Sequence, residues 1–187
     1  MSGKKIVVFA SGGGSNFQAL YYASQNKIFN ADIVLLVASK EGIGAVEKAK
    51  KMGIDVFVEN QNTSTASVIK KYKPDLICLA GYLKMIPQEI LDICPVINIH
   101  PALLPEFGGK GMYGHHVHEA VIKAGAAKSG ATVHFVNAEY DDGPIILQEN
   151  ILVEKNMDAK ALASAVLKVE HKIYPLAVKK FFEENIT

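Results

Sequence analysis

Ile6-Val7-Val8-Phe9-Ala10-Ser11-Gly12-Gly13-Gly14-Ser15-Asn16 joins an unbroken apolar run to a glycine-rich turn, and helical spacing follows at once with Phe17, Leu20 and Tyr21 on one face. A strand written in Ile, Val and Phe without polar alternation is buried on both faces, as in a parallel sheet covered by helices. The turn then sets backbone N–H groups and the positive end of a helix dipole at the strand's carboxyl end, with no β-carbons to hold an anion off. Strand, glycine turn and helix in that order predict an α/β fold with a phosphate-binding loop; the plainer reading is a flexible connection. A dinucleotide fingerprint would place a third glycine where Phe17 stands, and a nucleoside triphosphate loop would end in Gly-Lys-Ser/Thr. Both are missing, which favours a single terminal phosphate, such as a phosphoribosyl group, over NAD or ATP.

The same alternation continues outward. Apolar runs at Ile33 to Ala38, Val56 to Val58, Leu76 to Ala80 and Val96 to Ile99 read as strands separated by helical segments. Val46, Ala49 and Met52 share a helical face that Gly53 ends, and Pro87 suits the first turn of a short helix over Gln88 to Asp92. Such units imply a parallel sheet with right-handed crossovers. After Pro101 the pattern changes to a Pro- and Gly-rich loop from Leu104 through Gly114, a candidate lid, and then a helix from about Val117 to Ala124. Runs at Ala131 to Val136 and Ile145 to Val153, joined by a turn-rich segment from Asn137 to Pro144, are expected to pair as an antiparallel extension. Asp158 is the expected N-cap of a closing helix with Leu162, Ala165, Val166 and Val169 as its apolar stripe. Pro175 is expected to kink or interrupt that helix.

A chain of 187 residues suffices for one hydrophobic core and is short for two, so one domain over 1–187 is expected. The 20 Lys and Arg nearly cancel the 19 Asp and Glu and are dispersed, which gives no footing for nucleic acid or an acidic membrane. A small-molecule partner is expected instead. No basic leader with an apolar core and no bilayer-length apolar run is visible, so a soluble cytoplasmic protein is expected. Cys78 and Cys94 lack Cys-x-x-Cys spacing and read as reduced structural thiols.

Asn98-Ile99-His100-Pro101 places an amide and an imidazole on one face at the end of a strand that is otherwise apolar. They read either as a satisfied core pair or as a functional pair: an amide donor beside an imidazolium that stabilises an oxyanion while the imidazole moves a proton. Asp141, in the Tyr140-Asp141-Asp142-Gly143 turn, is the candidate orienting carboxylate, and Asp142 competes with it on local grounds. His115, His116 and His118 lack the recurring Cys or acidic partners of a closed zinc site and read as a solvated or substrate-facing helix start. His134 reads as a satisfied sheet residue, and Glu170 as a solvated helix acid beside His171.

Together these pieces resemble the folate-dependent phosphoribosylglycinamide formyltransferase family of purine synthesis. The resemblance spans essentially the whole chain. It rests on Ser11 to Asn16, Leu79-Ala80-Gly81-Tyr82-Leu83-Lys84, Asn98 to Pro101 with Leu103-Leu104-Pro105, Val133-His134-Phe135-Val136, Asp141 to Gln148, and Glu170 to Pro175, in that order. It implies a Rossmann-like formyltransferase fold, a mostly parallel sheet flanked by helices with an antiparallel C-terminal extension. A phosphate-binding half, about 1–100, would precede a folate and catalytic half, about 101–187. By resemblance Asn98, His100 and Asp141 would be catalytic, Gly14, Ser15 and Asn16 would bind the substrate phosphate, and Glu170 would contact glycinamide ribonucleotide. Leu83, Lys84, Met85 and Ile86, with Asn98, would hold 10-formyltetrahydrofolate as the formyl-donating cosubstrate, with no metal, in a monomer or homodimer.

Some positions depart from that family. Asp142 adds a charge where a small residue is common, Lys84 stands where many members have Arg, and Asn60 to Lys73 contains no Arg. The Gly-rich loop Phe107 to Gly114 is longer than in many members. Other readings are a methionyl-tRNA formyltransferase, expected to carry a basic C-terminal domain, and a formyltetrahydrofolate hydrolase, expected to carry an N-terminal regulatory domain. A non-catalytic phosphate-ligand sensor is a further class.

Overall fold

The computed structural model describes residues 3–184. Five β-α alternations lead the chain: β1 (Lys4–Ala10), α1 (Ser15–Gln25), β2 (Ala31–Ala38), α2 (Gly44–Lys51), β3 (Asp55–Val58), α3 (Thr65–Tyr72), β4 (Leu76–Leu79), α4 (Gln88–Leu91), β5 (Val96–His100) and α5 (His115–Lys123). Strands β6 (Lys128–Phe135) and β7 (Ile145–Leu152) and the closing helix α6 (Ala159–Glu184) follow. One seven-stranded sheet runs in the order β3-β2-β1-β4-β5-β6-β7. Pairings from β3 to β5 are parallel, and β5–β6 and β6–β7 are antiparallel. This is the mostly parallel sheet with an antiparallel extension that the sequence predicts.

Alternation along the strands divides the core between the two faces of the sheet. Ile6 and Val8 of β1 pack with Phe17 and Leu20 of α1, Val46 of α2, Val121 of α5, and Leu162 and Val166 of α6. Val7 and Phe9 point the other way, onto Ala66 and Ile69 of α3 and Ile90 of α4. The chain builds outward from β1 to β2 and β3, then returns to place β4 and β5 on the other side. That reversal between β1 and β4 opens a crevice beyond the strands' carboxyl ends, where ligands of open α/β sheets bind.

Pro175 neither stops nor interrupts α6, which continues through it to Glu184. Tyr174, Ala177, Val178 and Phe181 are buried on either side of it, and this packing offsets the hydrogen bond the imide cannot donate. Asp158 caps the helix as expected, its carboxylate accepting from Ala161 N–H at 2.7 Å. The third crossover helix is set by Ser64, whose hydroxyl accepts from Ser67 N–H at 3.3 Å.

Candidate active site

The carboxyl ends of β1, β4 and β5 open into a cavity of about 850 Å³, lined also by the Gly-rich loop, the Asn137–Asp141 turn and one face of α6. Gly14 begins α1 at φ 71°, and a β-carbon there would lie 2.7 Å from Cα and Cβ of Ala45, so only glycine fits both the backbone and the neighbour. No side chain caps α1, leaving its first-turn N–H groups at Ser15 and Asn16 free for an anion. Ser11 links this loop to the next strand end: its N–H donates to Gly81 C=O at 3.0 Å and its hydroxyl accepts from Leu83 N–H at 3.1 Å.

Glu170 is not the solvated helix acid that local sequence suggests. It is 7% exposed, and its carboxylate accepts a hydrogen bond from the side-chain amide of Asn16. Burial pushes the Glu170 carboxyl up to about 7, against the opposing pull of that amide. One Asn16 amide N–H is thereby committed to Glu170, while Asn16 Oδ1 is buried without a partner.

At the other end of the cavity the structure brings Asn98, His100 and Asp141 together. Asp141 adopts φ 55°, a left-handed conformation that Asp tolerates. Its Oδ2 lies 3.5 Å from His100 Nδ1 and accepts from Gly109 N–H at 3.0 Å. Asp142, its competitor in the sequence, is exposed and accepts from Asn137 Nδ2 at 3.2 Å. Burial raises the Asp141 carboxyl, but the His134 and His100 rings and the Gly109 N–H outweigh it and hold the group below the usual carboxylate range. Burial lowers the His100 pKa, while Asp141 and the Phe107 carbonyl oppose that shift; the net direction is down.

His134 is a buried sheet residue, as expected, and also a member of this cluster. Antiparallel register sets it opposite Asn98, with Thr132 opposite His100. His134 Nδ1 lies 2.7 Å from the Phe135 carbonyl, which can only accept, so the ring proton sits on Nδ1. Nε2 lies 3.2 Å from Asn98 Nδ2 and 3.6 Å from Asp141 Oδ1: the neutral ring accepts there from the amide, and the protonated ring turns an N–H toward the carboxylate. The amide is thus oriented as a donor, with its second N–H left over. His100 Nε2 similarly donates to Phe107 C=O at 2.7 Å, tying the imidazole to the Gly-rich loop. Beneath the pair, Thr132 Oγ1 donates to Ala102 C=O at 2.7 Å and accepts from Leu104 N–H at 3.2 Å, bracing the chain just after His100.

Leu83, Lys84, Met85 and Ile86 line the cavity, with Leu83 and Met85 exposed at its rim and Ile86 buried. The Lys84 ammonium is taken up by Glu59 at 2.8 Å and the Ser39 carbonyl at 3.1 Å, and Tyr82 donates to the same carboxylate at 2.9 Å. In the His cluster only His115 and His116 are exposed, paired with Glu119 at 3.2 and 3.5 Å; His118 is buried and lines the cavity, so the solvated reading holds for the first two alone. Among the described residues no group of three or more His, Cys, Asp or Glu side chains is arranged to hold a metal ion. No described helix is long and apolar enough to cross a membrane.

The formyl transferase family profile matches residues 4–178. The chain is 45% identical over 195 residues to a chloroplastic phosphoribosylglycinamide formyltransferase of Arabidopsis thaliana, covering 98% of this chain and 67% of that protein. Against two further chloroplastic relatives, from Vigna unguiculata and Glycine max, it spans 62% and 64% of their length. It is 34% identical over 193 residues to phosphoribosylglycinamide formyltransferase of Bacillus subtilis, covering 97% of this chain and 96% of that one. Among solved structures, glycinamide ribonucleotide transformylase 1 from Symbiobacterium toebii superposes with a TM-score of 0.90 at 30% identity, covering 98% and 90% of the two chains. The Brucella melitensis phosphoribosylglycinamide formyltransferase gives 0.86 at 37% identity, covering 96% of each. With its sheet order, its glycine loop at the start of α1 and its Asn-His-Asp cluster in one cavity, the chain belongs to the formyl transferase family, among the phosphoribosylglycinamide formyltransferases.

Proposed function

We propose that this chain transfers the formyl group of 10-formyltetrahydrofolate to the primary amine of glycinamide ribonucleotide, yielding the N-formyl product and tetrahydrofolate. The observation that carries the reading is one cavity with the uncapped N-terminus of α1 at one end and Asn98, His100 and Asp141 at the other. The substrate phosphate sits on the backbone N–H groups of Gly14, Ser15 and Asn16, and Glu170 contacts the ribose side of the same substrate. Anchoring the phosphate fixes the amine relative to the formyl carbon, so binding energy becomes orientation. The donor lies along Leu83 to Ile86, whose apolar side chains at the rim suit a flat ring system.

The amine attacks the formyl carbon and a tetrahedral intermediate forms. Its oxyanion takes the Asn98 N–H that His134 leaves over, together with His100 Nε2–H once the Phe107 carbonyl moves aside with the Gly-rich loop. Asp141, ionised because His134, His100 and the Gly109 N–H hold it so, favours the imidazolium at Nδ1. One proton leaves the attacking amine, through water at Asp141, and one reaches the departing folate nitrogen as its bond to the formyl carbon breaks.

The chain is read as one domain in which the phosphate site belongs to the half before about residue 100 and most of the catalytic cluster to the half after it. We place the reaction in the cytoplasm, without a metal, in a monomer or homodimer; size-exclusion chromatography and activity after chelation check the last two. The decisive assay mixes purified protein with 10-formyltetrahydrofolate and glycinamide ribonucleotide and follows folate absorbance together with formylated product. Absence of product at high enzyme concentration, with glycinamide ribonucleotide still bound, would point to the sensor instead.

A further inference from the structure

One buried titratable side chain of the cavity has no part in the chemistry above. His118 stands on α5 four residues after Gly114, is 5% exposed and lines the cavity. Its Nδ1 is sealed from solvent with no hydrogen-bond partner. An unpaired buried N–H costs more than an unpaired lone pair, so the ring proton belongs on Nε2. Burial first, then His115 and His100, drive the His118 pKa down to about 4, so the ring is neutral at physiological pH.

We propose that His118 is a specificity-determining contact for the acceptor substrate, its Nε2–H donating to the carbonyl oxygen of the glycinamide arm. The acceptor offers few alternatives. Its phosphate has the N-terminus of α1, and the formyl oxygen belongs to the donor and has Asn98 and His100. The amide carbonyl lies two bonds from the attacking amine and is an uncharged acceptor, which a neutral N–H matches without desolvating a charge. A cavity that offers a donor there discriminates against amines lacking the carbonyl, because the donor would be left unpaired.

This inference rests on the acceptor assigned above, and wild-type turnover tests that assignment separately. If the wild-type protein does not formylate glycinamide ribonucleotide, both fall. If it does, His118→Ala should raise the acceptor KM about threefold to tenfold with kcat changed less than about threefold, as expected for loss of a contact made equally in ground and transition states. His118→Gln, whose amide N–H reaches the Nε2 position, should recover most of the loss, and His116→Gln, on the exposed face, should change neither constant. D-ribose 5-phosphate, which has the sugar phosphate but no glycinamide, should bind wild-type protein and His118→Ala equally by calorimetry. An unchanged KM in His118→Ala, or an equal loss of ribose 5-phosphate affinity, would overturn the assignment.

Discussion

Two carboxyl groups in one cavity, Glu170 buried and Asp141 half-buried, are shifted in opposite directions. Glu170 and Asp141 are both largely withdrawn from water, and burial pushes each toward the neutral acid. Glu170 has only the Asn16 amide to oppose this and rises to about 7. Asp141 has two imidazoles and a backbone N–H, and remains an anion. Glu170 is the deeper of the two, and partner chemistry adds to that difference in deciding the sign. The difference suits the proposed division of labour: an acid held partly neutral beside the proposed phosphate site lessens like-charge repulsion, whereas a fixed anion is needed where an imidazolium must form.

The comparison breaks most readily at Asp141. Asp141→Asn should lower kcat by about 10²–10⁴-fold, whereas Asp142→Asn should stay within about twofold; steady-state kinetics giving equal losses would remove the distinction between the two acids. Asn98→Ala should cost about 10²–10³-fold in kcat with a smaller change in acceptor KM. At the proposed phosphate end, Gly14→Ala should destabilise the fold by about 1–3 kcal/mol in denaturant titrations and raise the acceptor KM, through its left-handed backbone and the Ala45 contact.

The smallest effect expected is on the pH dependence of stability. Because the Glu170 pKa is raised on folding, the native state holds a proton that the unfolded chain releases, so this group's stabilisation is complete below the ordinary Glu range and is lost as pH rises through about 7. Glu170→Gln should flatten the fall in Tm between pH 5 and 8; an unchanged slope would mean that Glu170 does not titrate there. Asp141 acts oppositely: its lowered pKa stabilises the fold above the ordinary Asp range and that contribution disappears on acidification, outside the Glu170 window.

The conformation of the glycine loop was largely legible because it is contiguous. Ser11 to Asn16 declare a strand-turn-helix junction by type and spacing alone, and Gly14 sits where a positive φ is required. The acid end was legible only in part. Alternation puts Asn98 and His100 on one face, but local sequence, while naming Asp141, leaves Asp142 a competitor for the same role. His134 was missed as a cluster member because its place opposite Asn98 depends on the β5–β6 register, a non-local pairing. Glu170 looks like any helix acid until α6 is laid over Asn16.

Pattern along the chain alone determined the α/β class, the order of strands and helices, the glycine loop after β1 and the polar pair ending β5, because side-chain periodicity and turn chemistry act over a few residues. Tertiary structure decided which acid meets His100, which way the Asn98 amide faces, that Lys84 spends its charge on Glu59, and that α6 survives Pro175. Those outcomes depend on burial and on partners that lie tens of residues away in sequence. Desolvation and hydrogen-bond geometry become defined only once the chain has closed around them.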